Sequence, residues 1–161
     1  MSLTVTIVAS GNMGAGIGQR LREHGVTVLT SLDGRSKASA ERAAKAGIQA
    51  ADDARLMQAD IFLSIVPPGE ALALAQRFAP LLERANNKPL YVECNAVNPQ
   101  TMTRIAEVVA ATGAQFVGGC IIGPPPVPGS TNTKLYVSGP AAQDILNRIW
   151  IRPVNHELTF S

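Results

Sequence analysis

Ala9, Gly11 and Gly14 stand at the spacing of a phosphate-binding turn, with a small residue followed by two glycines in the frame x-x-G-x-x-G. They lie between the apolar run Leu3 to Ala9 and a stretch of helical periodicity beginning near Gly14. A helix start presents N–H groups without partners and a partial positive charge, and the two together attract a pyrophosphate. Gly11, lacking a side chain, would let the backbone approach such a ligand, and Gly14 would let the helix pack closely on the strand. Ala9 occupies the tight-turn position, which alanine can adopt while φ stays negative. Gly11, Asn12, Met13 and Gly14 are therefore the candidate phosphate contacts. A tight strand–helix connection with no ligand is the alternative that the local pattern leaves open.

A second group follows at "LTSLDGRS". A site for a dinucleotide with a free ribose 2′-hydroxyl usually places Asp or Glu about 20 residues after the glycines. Here Thr30 and Ser31 stand in that place, with Arg35 and Ser36 just beyond. A guanidinium and hydroxyls suit a 2′-phosphate through charge-assisted bonds. Ser31, Arg35 and Ser36 thus favour NADP, with NAD the open alternative. Asp33 speaks for NAD unless it serves the Asp33–Gly34 turn.

The elements that would position these groups alternate between strand and helix. Strands are expected at Leu3 to Ala9, Val26 to Thr30, Asp60 to Val66 and Pro89 to Cys94, with weaker ones at "GIQAA", "AQFVGG" and "KLYVSG". Their near-continuous apolar character implies burial on both faces. Helices are expected at Gly14 to His24, stopped by Gly25, at Ser36 to Ala46, stopped by Gly47, and at Glu70 to Glu83. Two more are expected at Pro99 to Ala111 and Ala141 to Arg148. Pro80 should kink or end the third of these. Strands separated by helices of this length make a doubly wound, mostly parallel α/β sheet in three layers, with extra strands toward the C-terminus. The proline-rich loop "GPPPVPGSTN", Gly123 to Asn132, is either a wall beside a pocket or a stiff connection.

The 161 residues suffice for one domain with a substantial core, and the net charge is only +2. Basic residues are scattered and aromatics few, which argues against a nucleic-acid groove. Cys94 and Cys120 form no C-x-x-C pair, and His24 and His156 stand alone, so no metal site is expected. No apolar run approaches the ~20 residues that span a bilayer. A cytoplasmic protein that meets no membrane is the expectation.

With these residues in place, the chain resembles the N-terminal domain of the 6-phosphogluconate and β-hydroxyacid dehydrogenases, a group that includes imine reductases. "GNMGAGIGQRLREHGVTV" resembles the family's Gly-x-Met-Gly segment. "ADIFLSIVPP" resembles its fourth strand, and "VECNAVNPQT" its Asp-x-Ser-Thr-x-x-Pro segment. "FVGGCIIGPPPVPGSTNTKLYVSG" resembles the stretch Asp-Ala-Pro-Val-Ser-Gly-Gly and the strand after it. "LDGRS" with "IIGPPP" is most similar to the branch of 6-phosphogluconate dehydrogenase-like oxidoreductases. The resemblance implies an NAD(P)-binding Rossmann domain over residues 1–150, followed by a short strand or tail at 151–161. It implies hydride transfer between a nicotinamide and an alcohol, carbonyl or imine. Val66, Pro67 and Pro68 would face the nicotinamide side of the cofactor, and Asn95 would stand between cofactor and substrate. Asn95, Ala96, Ile122 and Gly123 would bind a small-molecule substrate. Capping of the Pro99 helix is the other reading of Asn95.

The departures from the family carry their own expectations. Its Ser-Gly-Gly is here Ile122, Gly123 and Pro124, and its Ser-Thr is Asn95 and Ala96, which disfavours a small hydroxy acid. None of Lys37, Lys45, Lys88 or Lys134 matches the family's catalytic lysine, which belongs to a helical second domain. General acid catalysis contributes ~100- to 10,000-fold, so no catalytic residue is assigned and little turnover is expected from this chain alone. The competing readings are a non-catalytic dinucleotide-binding or sensing module and, third, a methyltransferase. A homodimer is one assembly that exposed apolar surface would allow.

Overall fold

The computed structural model describes residues 2–8 and 11–149, together with the backbone of Pro153–Val154 and Glu157–Thr159. Ala9 of the glycine turn lies outside the described residues, as do 151–152, 155–156 and 160–161 of the short strand or tail expected at 151–161.

Three apolar runs build the middle of the sheet: β1 (Thr4–Val8), β4 (Ile61–Ser64) and β5 (Leu90–Glu93). Nearly every residue in them is buried, as strands covered on both faces must be. β2 (Thr27–Thr30) and β3 (Gln49–Ala50) extend the sheet on one side. On the other side follow β6 (Phe116–Ile122), β7 (Lys134–Ser138), β8 (Pro153–Val154) and β9 (Glu157–Thr159). Among the described residues these nine strands form one sheet in the order β3-β2-β1-β4-β5-β6-β7-β9-β8. The first six are parallel, and β7, β9 and β8 join antiparallel. The expected mostly parallel sheet with added strands is therefore present, and β9 is a strand that the sequence pattern did not announce.

Helices cover both faces. α1 (Asn12–Glu23), α2 (Lys37–Ala46) and α6 (Ala142–Arg148) close one core through Ile17, Leu21, Ala43 and Ile145. α3 (Asp53–Leu56), α4 (Ala71–Arg84) and α5 (Pro99–Ala110) close the other through Leu56, Phe78, Leu82 and Ile105. Phe62 stacks on Tyr91 with ring centroids 4.9 Å apart and meets Phe78 edge-on at 5.0 Å. Gly25 and Gly47, the expected helix stops, take φ of 82° and 69°, which L side chains rarely adopt.

Two helices depart from expectation. α4 runs through Pro80 instead of ending there. Pro80 is exposed and one turn from the helix end, so the carbonyl that it leaves unpaired can reach water. α1 begins at Asn12 with Gly11 as its N-cap, which puts Asn12 and Met13 inside the first turn. α3, only four residues long, and a 3-10 turn at Pro68–Glu70 were not foreseen. No helix among the described residues is long and apolar enough to cross a membrane.

From β1 the chain winds outward to β2 and β3, then returns to β4 on the other flank and continues to β5 and β6. That reversal opens a crevice beyond the carboxyl ends of β1 and β4, where ligands of such sheets sit.

Candidate functional site

A cavity of about 320 Å³ occupies that crevice. Its lining comes from three strand ends and one helix start: Gly11 to Gly14, Ile65 to Pro68, Cys94 to Ala96, and Ile121. Eight of the expected contacts are thereby brought together: Gly11, Asn12, Met13, Gly14, Val66, Pro67, Pro68 and Asn95, with Ala96 beside them. A larger hollow of about 540 Å³ lies between α3 and the end of α4, near Gln58 and Arg84, at the opposite end of the strands.

The floor of the cavity is the start of α1. Gly11 has φ −67° and ψ −179°, an extended conformation open to any residue, and a Cβ built on it would meet no atom of the other described residues, its chain neighbours aside, within 4 Å. No side chain caps this helix, and no acidic residue lies in its first turn. The first-turn N–H groups, which have no intrahelical partners, are thus left without a side-chain acceptor. Deeper in α1 the glycines have packing reasons. A Cβ at Gly18 would collide with Ile48, and one at Gly16 would lie 3.0 Å from Pro126 Cδ. The proline-rich loop therefore leans on α1 through Pro126. It is also closed on itself, because Thr133 Oγ1 donates to Pro124 O at 2.5 Å. None of its residues lines the cavity.

The walls are joined by a hydrogen-bond network. Val66 N donates to Asn95 Oδ1 at 3.0 Å. Asn95 Nδ2 donates to Ser64 Oγ at 3.2 Å and to Glu93 Oε1 at 2.5 Å, and Asn95 N donates to the same Oε1 at 3.0 Å. Asn95 is 7% exposed, and its amide is engaged on both sides. It does not cap α5; Asn98 does, accepting from Thr101 N at 2.8 Å.

Glu93, which no sequence motif marks as a site residue, is fully buried below this network. Burial raises the pKa of its carboxyl, opposed by the hydrogen bonds from Asn95 and Ser64. Among the described residues its Oε2 and the Tyr91 hydroxyl lack a partner at full hydrogen-bond geometry, although the Ser64 hydroxyl lies near enough to both to favour their charged forms. Burial also raises the Tyr91 phenol and the Cys94 thiol, with Glu93 adding to both, so Cys94 is an unreactive wall residue.

The other expected residues stand apart from the cavity. Ser31 is buried at the end of β2, while Arg35 is half-buried and makes no ion pair among the described residues. Ser36 is the N-cap of α2, accepting from Ser39 N at 3.2 Å. Ile122 is 57% exposed and does not line the cavity, and neither does Gly123. Ile121, one residue earlier and on the opposite face of β6, lines it instead. Strand alternation is the signal that separates the two isoleucines. Ile65 and Cys94 also belong to the lining without having been expected.

Solved structures share this architecture. A conserved protein of unknown function, noted for structural similarity with 3-hydroxyacid dehydrogenases, matches with TM-score 0.78 and 28% identity over 92% of this chain and 55% of its own. The 3-hydroxyisobutyrate dehydrogenase of Mycobacterium tuberculosis matches with TM-score 0.73 and 18% identity, over 92% of this chain and 50% of its own. An imine reductase from Myxococcus stipitatus, in complex with NADP+, matches with TM-score 0.70 and 24% identity, over 91% and 52%. The chain thus spans about half the length of these proteins. No curated protein sequence matches it. The model of the NAD binding domain of 6-phosphogluconate dehydrogenase matches residues 4–143, and the chain belongs to that family.

Proposed function

We propose that the chain is the NADP(H)-binding domain of an oxidoreductase that transfers hydride between nicotinamide and an alcohol, carbonyl or imine. The observation that carries this reading is Gly11. Its backbone suits any residue and its Cβ position is open, so the fold alone does not call for glycine there. Close approach of a ligand to the helix start does. Membership of an NAD-binding family supports the reading independently.

The residues present fit the cofactor. Gly11, Asn12, Met13 and Gly14 would hold the pyrophosphate on the first-turn amides. Val66, Pro67, Pro68 and Asn95 would border the nicotinamide half. Ser31, Arg35 and Ser36 would receive the adenosine ribose. The Ser36 hydroxyl is engaged by Ser39, so the NADP preference rests chiefly on Arg35. The bound nicotinamide would supply the hydride donor or acceptor. Around it, Ile65, Val66, Pro67, Pro68 and Ile121 would offer an apolar surface to the nicotinamide. Asn95, Ala96, Ile121, Ile122 and Gly123 would border a small-molecule substrate.

A second reading, a non-catalytic dinucleotide-binding module, is favoured by one feature of the lining. Among the described residues it holds no Lys, His, Asp, Glu or Tyr to move a proton. Binding and turnover separate the two. NADPH that binds and is oxidised when ketones or cyclic imines are added supports the oxidoreductase. NADPH that binds and stays reduced across such a panel supports the module.

A further inference from the structure

The bonds at the ends of β4 and β5 converge on one carboxyl group that does not itself reach the cavity. Glu93 Oε1 accepts two of the three N–H bonds that Asn95 offers, one from the backbone at 3.0 Å and one from the side chain at 2.5 Å. With Nδ2 held there and on Ser64, Oδ1 is the atom left to face Val66 N. In the reversed amide, Oδ1 would oppose the Glu93 oxygen, and the NH2 group would oppose the Val66 N–H. An amide has one acceptor oxygen and two donor hydrogens, so only the observed orientation satisfies every neighbour.

We infer that Glu93 is a positioning residue, which selects the Asn95 amide orientation that bolts the wall Ile65 to Pro68 onto the wall Asn95 to Ala96. It acts through Asn95 and touches neither cofactor nor substrate. The role needs an acceptor oxygen at the end of a two-methylene arm, and it does not need a charge. A protonated carboxyl keeps such an acceptor, and so does the amide of glutamine. Aspartate, one methylene shorter, withdraws it. Alanine removes it. For its ligand readout the inference rests on the cavity being the dinucleotide site, while its backbone readout stands alone.

The test compares the full chain with Glu93→Gln, Glu93→Asp and Glu93→Ala by amide hydrogen exchange and by NADPH titration. Glu93→Gln should keep the Val66 N–H as protected as in the wild type and NADPH affinity within about twofold. In Glu93→Asp and Glu93→Ala, Val66 exchange should quicken by about tenfold or more, with NADPH weakened by a similar factor. The central sheet amides of Phe62 and Leu63 should stay protected. A folded Glu93→Ala chain with Val66 as protected as the wild type overturns the inference. So does a folded Glu93→Gln chain that loses the protection, which decides the matter even if the alanine variant does not fold. If the wild type binds no nicotinamide nucleotide, the proposed function fails, and Val66 exchange still decides the role of Glu93.

Discussion

The backbone N–H of Val66 is joined to the side-chain oxygen of Asn95 across 3.0 Å, between the ends of neighbouring strands. Both residues are buried, so the N–H has no water to fall back on. Asn95→Ala therefore leaves an unpaired buried donor, a loss of about 1–3 kcal/mol. Urea unfolding should show the lower midpoint without a change of slope.

Glu93 makes stability depend on pH in a direction that can be worked out. Burial raises its folded pKa above the unfolded value, so the folded chain holds this proton to higher pH than the unfolded chain does. Its contribution is fully present below the unfolded pKa and is lost as pH rises through the folded one. The buried titratable groups coupled to it, Tyr91 and Cys94, have pKa values raised further above neutrality and keep their protons over this range. Glu93→Gln carries no such proton, so its stability relative to the wild type should rise from about pH 4 toward pH 8. Unfolding midpoints across that range give the comparison, and a constant difference would contradict the assignment.

The glycines of α1 should respond in opposite ways. Gly11→Ala has room for its Cβ and a permissive backbone, so the melting temperature should hold while NADPH affinity falls by about tenfold or more. Gly18→Ala drives a Cβ into the Ile48 side chain, outside the cavity lining, and should cost about 1–3 kcal/mol of stability. Thermal melts and titrations on the same two variants separate a ligand glycine from a packing glycine.

Pro80 interrupts the hydrogen bonding of α4 at an exposed position. Pro80→Ala restores one backbone bond and a better helix former. The melting temperature should rise, with a gain of up to about 3 kcal/mol as the ceiling set by helix propensities.

Much of this architecture was legible because apolar runs and glycine stops carry local signals. The strands around Val5, Leu63 and Val92 and the helix ends at Gly25 and Gly47 lie where pattern and punctuation put them. α3 was not legible, since four residues are too few to display a period. Pro80 does not end α4 as one of its two expected effects required, because the rule against helical proline weakens where the freed carbonyl meets solvent. The cavity lining takes in the residues expected at the helix start and at the end of β4, while on β6 alternation turns Ile121 toward it and Ile122 away. Glu93 left one sign that went unused: a lone acid inside "LYVEC", a run otherwise fit for burial on both faces. A charge-bearing residue in such a place must find hydrogen bonds or stay neutral, and Glu93 does the first through Asn95.

The proposed NADP(H) site places the phosphates on the start of α1 and the ribose near Arg35. Calorimetric titration of the wild type and Arg35→Ala with NADPH and NADH tests it most directly. The wild type should bind NADPH more tightly than NADH, and Arg35→Ala should lose most of that preference while still binding NADH. Absence of binding by either nucleotide, or an Arg35→Ala variant with the preference intact, would contradict it.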